Sequence, residues 1–236
     1  MNIIFSKVYD IGIVGRLIIL ILIILSIIAW GIIIEKLILF IRSRRENQKF
    51  LTLFQTYPDW HNVEKQTQYF RHSPLRNLFV KIFAEVQNET LNNVEPKSTN
   101  SDSETNNSSS TNITLYKALA DSIINTELTT YEKRLVFLSS TVSSSPFLGL
   151  FGTVWGVMQA FMSIGLRGSA AITAIGPGIA EALITTVVGL AVAIPVLFAY
   201  NLIVDKIRKY ENQMQVLAND MIRKIIQGKI HGGAQI

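Results

Sequence analysis

PFLGLFGTVWGVMQAFMSIGLRGSAAITAIGPGIAEALITTVVGLAVAIPVLFAYN, residues 146–201, holds two apolar segments, each long enough to cross a bilayer, joined by a short Gly-containing turn. Each carries small or polar residues where a helix facing only lipid would carry Leu or Ile. The pattern predicts a helical hairpin that packs against protein or water as well as lipid.

In the second segment, from Pro177 to Val204, Glu181 is the one acidic or basic residue, and Thr185 and Thr186 follow it. A carboxylate inside an apolar span costs roughly 2.5–3.5 kcal/mol on insertion scales, so its default reading is a functional group facing the bundle interior. A structural alternative stays open: Pro177 suits a first helical turn, which would set Glu181 near a helix N-terminus where the macrodipole favours negative charge. On a helix Thr185 falls about 40° from Glu181, whereas Thr186 falls about 140° away and about 7.5 Å further along the axis. The three oxygens therefore cannot form one straight stripe, but they can line successive depths of a route shared by several helices. Alternatively, each threonine only bonds the carbonyl four residues before it.

Small residues mark the contact faces. Ala182, Thr186, Gly189 and Ala193 share one face, and Gly149, Thr153, Gly156 and Ala160 share another at spacings of 4, 3 and 4. Two such faces pack closely, which is expected to bring Thr153 into the contact as the hydroxyl from its helix. Pro146 and Pro195 are expected to bend their helices and free backbone carbonyls.

GLFGTVWGVM at Gly149–Met158 and IGPGIAEALITTVVGL at Ile175–Leu190 closely resemble the TolQ/ExbB family of inner-membrane motor subunits, of which MotA is a more distant relative. The resemblance implies a pentameric helical bundle around the transmembrane helices of a small partner, TolR in one branch and ExbD in the other, whose aspartate takes up and releases protons. It implies that Thr153, Glu181 and Thr186 line or adjoin the proton route, and that TolA or TonB is the energised client. The chain departs from the family pattern at Ile175–Gly176 and at Thr185, where Ala is usual; the second change adds a hydroxyl close to the route. The short region before the first span and the Ser73-Pro74-Leu75 start of a later helix are similar to the TolQ branch, which maintains the envelope and assists division.

Outside the hairpin, Leu17–Ile34 is apolar apart from Ser26 and Gly31 and extends to Ile41 if Glu35 and Lys36 are carried. It is longer than a signal-peptide core and runs into Arg42, Arg44 and Arg45, so it reads as a retained first span, with Glu35 and Lys36 a snorkelling pair at its end. The chain thus divides into an outer N-terminus (1–16), a first span (17–41), a helical domain (42–134), second and third spans (135–164 and 177–204) about a turn (165–176), and a C-terminal helix and tail (205–236). Basic residues follow spans one and three and precede span two, while the 165–176 turn has only Arg167, which assigns the middle region and C-terminus to the cytoplasm and the N-terminus and turn to the periplasm. The fold class expected is all-α, an integral membrane protein with three transmembrane helices, the second and third extending into the helical domain. Ile124, Leu128, Tyr131, Leu135 and Leu138 continue the second helix upstream as one seam, and Ile203, Ile207, Tyr210, Met214, Leu217 and Met221 continue the third downstream. Ser73-Pro74 starts an amphipathic helix carrying Leu75, Leu78, Phe79, Ile82, Phe83 and Val86. Asn92–Asn112, rich in Asn, Ser and Thr, reads as a disordered linker.

Composition bounds the function. At 236 residues and 49% hydrophobic, the chain is too apolar for an ordinary soluble domain, and its net charge of +5 follows the span flanks, which fits topology better than nucleic acid. There are no cysteines, and His61 and His72 lack a second ligand at metal spacing, so neither a metal nor another cofactor is expected. No nucleophile elbow or phosphate-cradling loop occurs, so the chain is read as no enzyme. One buried acid cannot make a complete relay, so a partner acid is expected; a non-conducting membrane scaffold is the competing reading.

Overall fold

The computed structural model describes residues 12–57, 60–70, 72–92, 105–167 and 172–227, and every regular element among them is helical. In chain order these are α1 (Ile13–Thr56), α2 (Trp60–Gln66), a 3-10 turn (Thr67–Tyr69), α3 (Pro74–Asn92), α4 (Thr105–Glu132), α5 (Leu135–Arg167) and α6 (Ile172–Ile226). Three are long and apolar enough to cross a membrane, with mean hydropathy of 3.3 in α1, 1.5 in α5 and 2.4 in α6 over their most apolar stretches. The protein is an all-α membrane protein with three candidate spans.

The chain forms two compact units, one from Met1–Glu35 and Arg134–Ile203, the other from Lys36–Lys133 and Val204–Ile236. In the first, Ile18 and Leu22 of α1 pack on Val192, with Val14, Leu148 and Val188 around them. The second has an aromatic core. Phe79 and Phe83 of α3 stack 5.7 Å apart, and Phe79 also meets Phe50, Phe54 and Trp60 at 5.7–5.9 Å. Helix α3 starts where Ser73-Pro74 puts it: the Ser73 hydroxyl accepts the Arg76 amide at 3.2 Å, and Pro74 occupies the first turn, where its missing N–H costs nothing. Its apolar face is buried, Leu75, Leu78, Phe79 and Ile82 completely.

Several boundaries differ from expectation. The 17–41 span lies within a longer helix, α1, which continues to Thr56, carried by a buried face of Phe40, Ser43, Asn47, Phe50 and Phe54 at spacings of 3 and 4. Glu35 and Lys36 are therefore mid-helix and do not snorkel from an end. Glu35 pairs with Arg134, while Lys36, only 3% exposed, donates from Nζ to the Tyr131 carbonyl at 2.6 Å. A cation suits that spot because the last carbonyls of α4 have no amide partners within the helix and carry its negative dipole end. The seam from Ile124 to Leu138 is not one helix. It breaks at Lys133–Arg134, where Arg134 adopts φ 68°, a left-handed conformation disfavoured for any residue with a Cβ.

The Asn92–Asn112 stretch is shorter as a linker than expected. Residues 93–104 lie outside the described residues, but α4 is already helical at Thr105, because elongating a helix whose later face is anchored by Tyr116, Ala120, Ile123 and Ile124 costs only tenths of a kcal/mol per polar residue, about 0.7 at most. Helix α6 likewise begins at Ile172, not Pro177, so the expected 165–176 turn shrinks and Pro177 is internal. The N-terminal 1–11 and the tail 228–236 lie outside the described residues.

Phe40, Tyr131 and Tyr210 form a second aromatic cluster, with centroids 5.6–5.9 Å apart. The Tyr210 hydroxyl donates to the Phe40 carbonyl at 3.1 Å, and the Tyr131 and Ser43 hydroxyls bond at 3.1 Å. Burial, with Tyr131 adjacent, pushes Tyr210 up to about 12 against the opposing pull of Arg44. Burial also raises Tyr131, although the Ser43 bond works the other way. An unfolded tyrosine ionises near pH ~10, so the neutral Tyr210 contributes stability that is complete below about pH 10 and is lost as pH rises through about 12. Alkaline titration of the full chain in detergent should show late phenolate absorbance accompanied by loosening of this unit, and the Tyr210→Phe variant should loosen less across that window. Ordinary early titration of every tyrosine with the helices intact would contradict it.

Candidate functional site

The site is built on the seam between α5 and α6. Contacts run in opposite order along the two helices: Ser145 and Gly149 meet Gly189, Gly149 and Gly152 meet Thr185, Gly156 meets Ala182, and Ala160 meets Gly178. Glycine is required at several of these. A Cβ on Gly189 would lie 2.5 Å from the Ser145 carbonyl oxygen, one on Gly149 2.8 Å from both the Thr185 carbonyl oxygen and the Thr186 Cα, and one on Gly156 2.6 Å from the Ala182 Cβ. Close approach of this kind is how helices associate where lipid removes the hydrophobic drive.

Thr185 is at the centre of the seam, 1% exposed. Its hydroxyl proton is shared between the Ala182 carbonyl at 2.7 Å and, across the seam, the Gly149 carbonyl at 3.0 Å, and its side chain fills the notch above Gly152. The hydroxyl that departs from the family pattern thus acts as an interhelical tie. Thr153, expected in the contact, is outside it: its hydroxyl donates to the Leu150 carbonyl at 2.7 Å, and it borders an open concavity of about 370 Å³ with Val154, Val157 and Met158. Position 153 is one residue past Gly152, and that 100° step turns it out of the seam. Ser145, buried and bonded to the Thr141 carbonyl at 2.7 Å, is a second seam hydroxyl on the same helix.

Thr186 has its Cα against Gly149, and its hydroxyl is buried without a hydrogen bond among the described residues. In an apolar setting an unmet hydroxyl costs about 1–3 kcal/mol. The Trp155 indole N–H is in the same condition. Glu181 is half-buried, nine residues into α6, past the first turn where a helix dipole acts, so the N-terminal explanation for it no longer applies.

The α1 contacts divide the polar residues into two sides. Helix α1 covers Leu148 and Val188. Trp155 lies seven residues after Leu148 and Glu181 seven before Val188, two helical turns each, so both belong to the α1-facing sides of their helices. Thr153 and Thr186 are each turned about 140° or more from those faces. The carboxylate and the Thr153 and Thr186 hydroxyls are therefore on opposite flanks of the seam, with Thr185 inside it. Ala193 is buried beside Val192, and Pro146, Pro177 and Pro195 sit within helices that continue through them.

Gly152, Ser145, Gly178 and Trp155 escaped sequence reasoning. Gly152 was recoverable, since Gly149, Gly152 and Gly156 already form a 3-and-4 repeat. Trp155 was not, because nothing local distinguishes an indole with an unmet N–H from one at a lipid interface. No cluster of three metal-ligating residues occurs among the described residues.

Residues 78–216 match the MotA/TolQ/ExbB proton channel family. The chain is 33% identical over 195 residues to the Tol-Pal system protein TolQ of Haemophilus influenzae, covering 80% of this chain and 79% of the relative. It is 40% identical over 100 residues to the Tol-Pal system protein TolQ of Pseudomonas aeruginosa, covering 42% of this chain and 43% of that one. The biopolymer transport protein ExbB of Pseudomonas putida is 36% identical over 98 residues, covering 42% of this chain and 30% of the relative.

Proposed function

This chain belongs to the MotA/TolQ/ExbB proton channel family, and on that basis we propose that it is the inner-membrane subunit of a Tol-Pal-type motor, forming a pentamer around a TolR-like partner and energising a TolA-like protein. The TolQ branch is favoured over an ExbB-type role with ExbD and TonB because the Haemophilus TolQ alignment extends along 80% of the chain, against 42% for the ExbB of P. putida. The N-terminus is periplasmic and the C-terminus cytoplasmic, in keeping with the basic residues flanking the spans.

One observation carries the mechanism: the Thr186 hydroxyl, buried in an apolar span, makes no hydrogen bond among the described residues. A hydroxyl can donate to a carboxylate and, after rotation, accept from a carboxylic acid. Thr186, with Thr153 on the same flank, therefore suits both states of a partner aspartate that takes up a proton and releases it. Glu181, on the other flank, tunes the proton's access. Each charge moved through 100 mV yields about 2.3 kcal/mol, so a few protons suffice to shift a packed helix between discrete arrangements.

Glu181→Gln and Thr186→Ala, each co-expressed with the partner, should assemble normally and lose proton flux in reconstituted vesicles. Removing a hydrogen bond to a charged group costs about 1.5–3 kcal/mol, a fall of roughly ten- to a hundredfold. Full flux and full envelope function in both variants would favour the scaffold reading.

A further inference from the structure

The mutual contact of Phe40, Tyr131 and Tyr210 pins α1, α4 and α6 at one level of the second unit, and exposed cations surround it: Arg42, Arg44 and Arg45 on α1, Lys206 and Arg208 on α6, and Lys133 just past α4. None of the six has a carboxylate within ion-pair distance among the described residues. Of the acids beside the cluster, Asp205 and Glu46 are already engaged, and Glu132 and Glu211, which make no ion pair among the described residues, are outnumbered by the six cations. Asp205 pairs with Lys209 at 2.7 Å, and Glu46 accepts the His72 amide at 2.7 Å. The Lys209 hydrogen bond, aided by the charges of Lys206 and Arg208, holds the Asp205 carboxyl below its ordinary range.

This belt begins where exposed apolar surface stops. Leu37, Ile38 and Ile41 are exposed immediately before Arg42 on α1. Surface of that composition is matched by acyl chains, so the cations that follow it lie at headgroup depth.

We propose that this belt is a binding surface for anionic phospholipids, their phosphates seated on Arg42, Arg45, Lys206 and Arg208 while their acyl chains cover Leu37 and Ile41. Arginine is suited to the role because its planar fork takes two phosphate oxygens at once. Zwitterionic lipid offers the same phosphate but cancels its charge, so the surface discriminates by net charge. The proposal rests on the membrane-spanning helices and not on proton conduction.

The test uses the full chain in detergent, equilibrated with an equal mixture of phosphatidylglycerol and phosphatidylcholine, repurified and assayed for bound lipid by mass spectrometry. Phosphatidylglycerol should be enriched about tenfold or more, since each cation near an anionic surface is worth about fivefold in affinity. The enrichment should collapse in high salt and in the Arg42→Gln/Arg45→Gln/Lys206→Gln/Arg208→Gln chain. It should survive excess inorganic phosphate, and it should survive in a Lys65→Gln/Lys117→Gln control that removes exposed cations elsewhere. Unchanged enrichment in the fourfold variant, or equal loss in the control, overturns the proposal; displacement by inorganic phosphate also overturns it, showing a free-anion site. If the fourfold variant loses helical circular dichroism, Arg42→Gln/Arg208→Gln is read by the same criteria.

Discussion

Gly189→Ala is expected to destabilise the α5–α6 hairpin by about 1–3 kcal/mol, even though Ala is about 1 kcal/mol the better helix former. The new methyl would lie 2.5 Å from the Ser145 carbonyl oxygen and 3.2 Å from the Gly149 Cα, both backbone atoms, so no side chain can swing aside to admit it. The helices must part instead, and parting also strains the 3.0 Å tie from Thr185 to Gly149. Thermal unfolding of the full chain in detergent should show a lowered midpoint, with Gly189→Val lower still. Gly31→Ala is the control, because nothing lies within 4 Å of a Cβ there, and its midpoint should hold or rise. A Gly189→Ala midpoint at or above the parent's would mean the seam is looser than its geometry implies.

Phe79→Ala should do comparable or greater damage in the other unit, about 3–5 kcal/mol. The ring is wholly buried and meets Phe50, Phe54, Trp60 and Phe83, each within 6 Å. Truncation removes its transfer energy, leaves a cavity that four stiff rings cannot close, and forfeits edge and stacking terms of about 0.5–1.5 kcal/mol each, which are not additive. Limited proteolysis should cut near α2 and α3 while the apolar hairpin stays protected, because the two units have separate cores. Phe79→Leu, which keeps most of the volume, should resist nearly as well as the parent. Protection of α3 unchanged in Phe79→Ala would refute the assignment of this cluster as the unit's core.

The positions of the polar residues show where sequence reasoning reaches its limit. The 3-and-4 spacing of small residues predicts that the two helices of the hairpin present narrow faces, since spacing along a helix is local and fixed at 100° per residue. Which of two adjacent threonines enters the seam is another matter. Thr185 and Thr186 differ by one 100° step, and only the rotation of α6 against α5 makes Thr185 the tie and leaves the Thr186 hydroxyl without a partner among the described residues. The one-step rotation that puts Gly152 in the seam also turns Thr153 out.

The amino-acid sequence alone determined the number and type of spans, the start of α3 at Ser73-Pro74, and the helical class, because apolar length, caps and periodicity are properties of neighbouring residues. The break at Lys133–Arg134 was decided by tertiary structure. The apolar seam runs through it unbroken, and the groups on either side of the break are met by residues far away in the chain: Glu35 pairs with the left-handed Arg134, and Lys36 binds the Tyr131 carbonyl in the last turn of α4. Helix geometry alone sets Thr186 about 140° from Glu181, but tertiary structure decided which of those flanks α1 covers, because that depends on a contact between residues more than a hundred positions apart.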